Sequence, residues 1–147
     1  MIRYILKRKN INLRKNIYLR NELIKPTKIY VKEVLKLMEL NLIKSCANIT
    51  GGGIEDNLKR ILPKGLVANI NLSKIKPNKI FKWLKKQNVS DHEMLKTFNC
   101  GVGFCLITEK KNVFKVQKIF KKNYKPYVIG KISSGKKKIR LNEKIFW

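Results

Sequence analysis

Acidic residues are scarce in this chain. Nine Asp and Glu stand against 35 Lys and Arg in 147 residues, a formal net charge of +26. The nine are scattered, so no cluster suits magnesium and no carboxylate pair suits acid–base work. There is one histidine, His92, and His92-Glu93 is not followed by a second His, which argues against zinc. The same scarcity excludes a Ser-His-acid triad. No apolar run approaches the roughly 20 residues that a membrane-spanning helix needs. Nor does an apolar stretch of about 7–15 residues follow the basic start, as a secretory leader would require. The three cysteines, Cys46, Cys100 and Cys105, are an odd number in apolar or Gly-rich surroundings. They read as reduced thiols of a cytoplasmic protein rather than a disulfide framework.

What remains suits one compact domain, since 44% of the residues are apolar and the length can bury a core. The charge is carried by 29 Lys and only 6 Arg, beside 19 Ile and 15 Asn. All three abundant types have A/T-rich codons, and a phosphate-reading surface would favour Arg with interleaved aromatics. Lys is spread along the chain, with short clusters at Lys85-Lys86, Lys110-Lys111, Lys121-Lys122 and Lys136 to Lys138. Most of this charge therefore reads as solvated surface that draws in anions, with no specific nucleic acid and no membrane as partner. A small basic nucleic-acid-binding protein is the alternative that the charge motivates.

The spacing predicts an amphipathic helix over Ile2 to Lys9 and then a loop to Pro26. A helix opens at Pro26-Thr27 with Thr27 as cap, and Val31, Val34, Leu35 and Met38 form its packed stripe. Ile43 to Thr50 reads as a buried strand, Ile54 to Leu62 as a helix stopped by Pro63 and Gly65, and Leu66 to Leu72 as a strand. Pro77 suits the first turn of a helix with Ile80, Phe81 and Leu84 on its apolar face. Ser90 or Asp91 caps a short helix through Lys96, Gly101 to Thr108 is a second buried strand, and Val113, Val116, Ile119 and Phe120 mark a longer helix. Tyr127 to Ile132 and Lys137 to Leu141 read as a hairpin around Ser133 to Lys136. The expected class is α+β, a mixed sheet with helices packed on it. Residues 1–25 form a lead-in and 26–147 the domain.

Gly130 to Lys136 has the spacing of a phosphate-binding P-loop, but Lys137 stands where Ser or Thr should reach magnesium, and a strand follows instead of a helix. It is a decoy. Thr50-Gly51-Gly52-Gly53 carries more. Successive glycines between a strand and a helix let backbone N–H groups approach an anion, or else serve a turn that needs positive φ. Asp56, Asn57 and Arg60 put polar groups on the helix that follows. In Thr97-Phe98-Asn99-Cys100-Gly101-Val102-Gly103-Phe104, two glycines flank a valine at a strand start, the mark of a close backbone crossing or a ligand.

At these residues the chain resembles the C-terminal half of the aminoimidazole ribonucleotide synthetase (phosphoribosylformylglycinamidine cyclo-ligase) family. The matching blocks are Leu23 to Lys32 (LIKPTKIYVK), Asn48 to Pro63 (NITGGGIEDNLKRILP) and His92 to Phe104 (HEMLKTFNCGVGF), in the family's order. Tyr127 to Ile132 is similar to its closing strand, and Ile2 to Asn10 to the helix leading out of its N-terminal domain. The resemblance implies ring closure in purine biosynthesis, with formylglycinamidine ribonucleotide and ATP going to aminoimidazole ribonucleotide, ADP and phosphate. It implies a cleft between two domains, with Asn48, Thr50, Gly51, Gly52 and Gly53 and Thr97, Asn99, Gly101 and Gly103 on the C-terminal side. Asn57 and Arg60 would support the first loop, and Arg60 would meet a substrate phosphate.

Many members have His where this chain has Asn48, and Met where it has Phe104. Asn48 can donate and accept hydrogen bonds but cannot carry a proton, so no acid–base role falls to it. Full members are about twice this length. The missing half would hold ATP and Mg²⁺, and the chain is expected to need it for turnover, as a homodimer when complete. A non-catalytic dimerising remnant is the remaining alternative.

Overall fold

The computed structural model describes residues 1–120, 125–136 and 138–147, so the Lys121-Lys122 cluster and Lys137 lie outside the described residues. The architecture is α+β. In chain order the elements are α1 (Ile2–Arg8), α2 (Ile17–Leu23), α3 (Val31–Glu39), β1 (Ser45–Asn48), α4 (Gly53–Ile61), β2 (Leu66–Asn71), α5 (Lys79–Lys85), α6 (Asp91–Thr97), β3 (Phe104–Ile107), α7 (Val113–Ile119), β4 (Gly130–Ser134) and β5 (Ile139–Asn142). β1 pairs antiparallel with β3. β2 is the centre of a mixed three-stranded sheet, antiparallel to β4 on one side and parallel to β5 on the other.

That order corrects the expected hairpin. β4 and β5 are consecutive in the chain, yet β2 lies between them. The Gly135 amide donates to the Gly65 carbonyl (2.9 Å), so the chain crosses the start of β2 instead of folding back on β4. Burial explains the central place of β2: Val67 and Ala68, adjacent and hence on opposite faces, are both essentially solvent-free. A turn signal reports a reversal but not whether a third strand fills the space between the two arms.

One helix is added and two helix starts move. The expected loop before Pro26 contains α2, whose start is held by Asn16 accepting the Leu19 N–H at 3.0 Å while Leu19 is buried. α3 begins at Val31 with Tyr30 before it, so Thr27 is not its cap. The Tyr30 ring leans on Phe104 (centroids 5.3 Å apart), a tertiary contact that sets where the helix can start. Pro77 precedes α5, which starts after Asn78. Of the two caps expected for α6, Ser90 is the one used, accepting the Glu93 N–H at 3.2 Å.

The main core joins Ile49, Ile54 and Leu58 around α4 with Ala68, Ile70, Leu84, Met94 and Val102, and Ile5 of α1 belongs to it. A second cluster packs Leu37 of α3 against Val116 and Phe120 of α7. The stripe of α3 differs from expectation. Val34 and Leu37 are its buried residues, while Val31, Leu35 and Met38 lie in the open.

Candidate functional site

The β1–β3 ladder brings the two glycine segments together. Antiparallel pairing sets the end of β1 beside the start of β3, with Asn48 opposite Phe104. One residue on, the Ile49 N–H donates to Gly103 O at 2.9 Å. The second junction is steric. A Cβ on Gly53 would collide with the Leu95 carbonyl and stand 3.2 Å from that of Phe98, at the end of α6. Gly53 also has φ +60°, so close approach and backbone conformation both demand glycine there.

Asn57 holds the first loop from beneath. It is the buried polar residue of the core, and its Nδ2 donates to the carbonyls of Gly53 (2.7 Å) and Gly51 (3.2 Å), with Thr50 O at 3.5 Å. The Gly53 amide is committed to Thr50 O (3.1 Å), and the Asp56 amide reaches Gly52 O at 3.3 Å. Nothing stands within 4 Å of a Cβ placed on Gly51. Asn48, Thr50 and Gly51 are exposed on this rim.

The second loop is braced in the same way. Asn99 Oδ1 accepts the Gly101 N–H (3.0 Å), and Asn99 O accepts that of Val102 (2.8 Å). The Thr97 hydroxyl donates to Glu93 Oε1 at 2.9 Å. Gly101, at φ +96°, packs on the Lys76 carbonyl, and Gly103 lies against the Tyr30 hydroxyl. The Thr50 hydroxyl donates to Asn57 Oδ1 at 3.5 Å, so the side chains of Thr50, Asn57, Thr97 and Asn99 shape the loops, and Asn48 stands exposed beside them. Arg60 is not brought to the loop. It is exposed in the last turn of α4, seven residues beyond Gly53, or about 10 Å along a helix axis.

Each loop borders its own recess. Gly101 to Gly103 border a cleft of about 500 Å³ that Tyr30, Phe104, Gly130 to Ile132, Lys28 and Lys76 also line. Gly52 borders a smaller recess of about 240 Å³ that Asp56, Lys59, His92 and Lys96 share. Lys28, Lys76 and Lys96 were not singled out in the sequence, where isolated lysines in so basic a chain carry no positional signal. The first turn of α4 carries Glu55 and Asp56, which oppose an anion at that helix end. Lys59 offsets them, lying 2.7 Å from Glu55, whose hydrogen bond raises the lysine's pKa.

Nucleophilic chemistry finds no support in the two buried thiols, Cys100 and Cys105. Burial pushes Cys105 up to about 12, and burial with the nearby Asp91 charge pushes Cys100 to about 12. Among the described residues no three His, Cys, Asp or Glu converge to hold a metal ion. None of the described helices is long and apolar enough to cross a membrane.

With this arrangement in hand, the chain can be assigned to a family. Residues 1–142 match the model of the AIR synthase related protein C-terminal domain, and the chain belongs to that family. It is 49% identical over 124 residues to a phosphoribosylformylglycinamidine cyclo-ligase of Carboxydothermus hydrogenoformans, covering 83% of this chain and 36% of that protein. It is 44% identical over 122 residues to the cyclo-ligase of Caldicellulosiruptor saccharolyticus, covering 82% and 36%. A trifunctional purine biosynthetic protein adenosine-3 of Chironomus tentans matches at 40% over 112 residues, 76% of this chain and 8% of that protein. The chain spans about a third of the length of the cyclo-ligases it matches.

Proposed function

We propose that this chain supplies the C-terminal part of a purine-biosynthesis cyclo-ligase, acting in the cytoplasm. In this reading it closes the imidazole ring of formylglycinamidine ribonucleotide at the expense of ATP, together with an N-terminal part that residues 1–25 lead out of. The observation that supports it best is the convergence of Thr50–Gly53 with Thr97–Gly103 through the Ile49–Gly103 hydrogen bond. Two braced glycine segments meeting at one rim leave main-chain groups free to approach a ribonucleotide closely. Asn48 and Thr50 supply neutral hydrogen-bonding groups there, and lysines around the cleft neutralise phosphate charge. ATP and Mg²⁺ fall mainly to the N-terminal part, a reading supported by the lack of any three converging metal-binding side chains among the described residues. Catalysis then rests on positioning and charge neutralisation rather than on a covalent nucleophile. Arg60 reaches a substrate phosphate only if the ribonucleotide extends along α4.

The test is reconstitution. The chain is mixed with the preceding portion of the Carboxydothermus hydrogenoformans relative, and ATP-dependent formation of aminoimidazole ribonucleotide is followed. The expected result is turnover from the mixture and none from either piece. A folded, associated mixture without turnover would overturn the reading.

A further inference from the structure

α3 carries more apolar surface than its own domain uses. Val34 and Leu37 point into the fold, and Leu37 packs on Val116 and Phe120 of α7. Val31, Leu35 and Met38, at i, i+4 and i+7, make a second stripe about 100° round the helix, 58%, 53% and 55% exposed. Single-sided helices need one apolar face; an arc this wide fits a helix with two neighbours. The surplus is not confined to α3. Among the described residues, ten of the sixteen exposed large apolar side chains lie in the first 40 residues, Ile24 (70%) and Ile29 (75%) among them. Exposed apolar residues concentrated in one stretch of a small domain point to an interaction surface.

We propose that the outer stripe of α3, with Ile24 and Ile29, is the seat of the polypeptide that precedes this domain in longer family members. The inference rests on the reading under Proposed function. Two observations select that occupant. The family is a C-terminal domain and the chain spans about a third of the cyclo-ligases it matches, so the additional length of the relatives joins at the end where the exposed apolar residues gather. A second copy is disfavoured by the overall charge, since each copy carries +26, although on α3 itself Lys32 and Lys36 are balanced by Glu33 and Glu39.

The test is co-expression of the chain with a tagged, soluble and cooperatively melting N-terminal portion of the Carboxydothermus hydrogenoformans relative. The chain, a Leu35→Glu/Met38→Glu variant and a Phe114→Glu control on α7 are compared for capture. The expected result is that the double variant binds about tenfold or more weakly while the control binds like the parent chain. Both substitutions lie at exposed positions, and an unchanged thermal melt separates lost docking from lost folding. Undiminished capture of the double variant, or no capture of the parent chain, would overturn the proposal. So would a homodimer of the parent chain, seen by light scattering, that the double variant dissociates. Capture that depends on α3 without turnover would instead count against ring closure and leave the docking surface standing.

Discussion

The amide of Ile49 donates a hydrogen bond to the carbonyl of Gly103, 54 positions further along the chain, at 2.9 Å. Through it, a loop that ends one strand and a loop that begins another become one rim. Both loops are held from within by asparagines, Asn57 under the first and Asn99 in the second. Rigid loops with committed side chains suit a site that works through its main chain.

Asn57→Ala is expected to destabilise the fold. It leaves the Gly51 and Gly53 carbonyls without their buried donor, at a cost of about 2 kcal/mol, or roughly 4–8 °C in Tm for a chain of this size. Asn57→Asp should be worse as pH rises, because a carboxylate facing carbonyl oxygens cannot donate. Thermal melts across pH would check both.

Gly53→Ala and Gly51→Ala should part company. The first forces a Cβ onto the Leu95 carbonyl at φ +60°, and loss of the folded state or about 3 kcal/mol or more is expected. The second meets nothing within 4 Å at an ordinary φ, so its stability should change by under about 0.5 kcal/mol. If the rim approaches a ribonucleotide, Gly51→Ala should nonetheless weaken substrate binding in the reconstituted enzyme. Denaturant curves and substrate titrations separate the two effects.

Acid should loosen the C-terminus. Asp91 lies 2.5 Å from Lys85 and accepts the Trp147 indole N–H at 2.9 Å. The Lys85 hydrogen bond, more than the indole, holds its carboxyl below the ordinary 3.8. A depressed carboxylate contributes its stability above the unfolded value and loses it as pH falls through the lower folded value. Tm should therefore drop more steeply below about pH 4 in the parent chain than in Asp91→Asn, with Trp147 fluorescence shifting over the same range. Parallel acid limbs for the two proteins would refute this.

Thiol reagents should separate the cysteines. At pH 8 a thiol near 12 is ionised to about one part in 10⁴, so native Cys100 and Cys105 should stay unreacted. Cys46, only partly buried, should take up the first equivalent, and the other two should follow only in denaturant. Rapid titration of all three in the native state would contradict the structure.

Local chemistry was readable directly from the residues. The Gly-rich turns, the Ser90 cap, the five strand segments and the α+β class follow from rules that act over a few positions, where propensity and hydrophobic period are decided. The two candidate loops were visible as well, and so was Asn57 as a support of the first, whereas Asn99, expected to line the cleft, braces its own loop. What those rules could not reach was adjacency. Only the tertiary structure inserted β2 between β4 and β5, set the start of α3 through Tyr30 and Phe104, and divided the apolar arc of α3 into an inner and an outer face. It also joined the glycine loops and left Arg60 two turns away from them. Strand order and helix facing depend on which distant surfaces exclude water together, and that free energy belongs to the packed whole rather than to any short stretch of sequence.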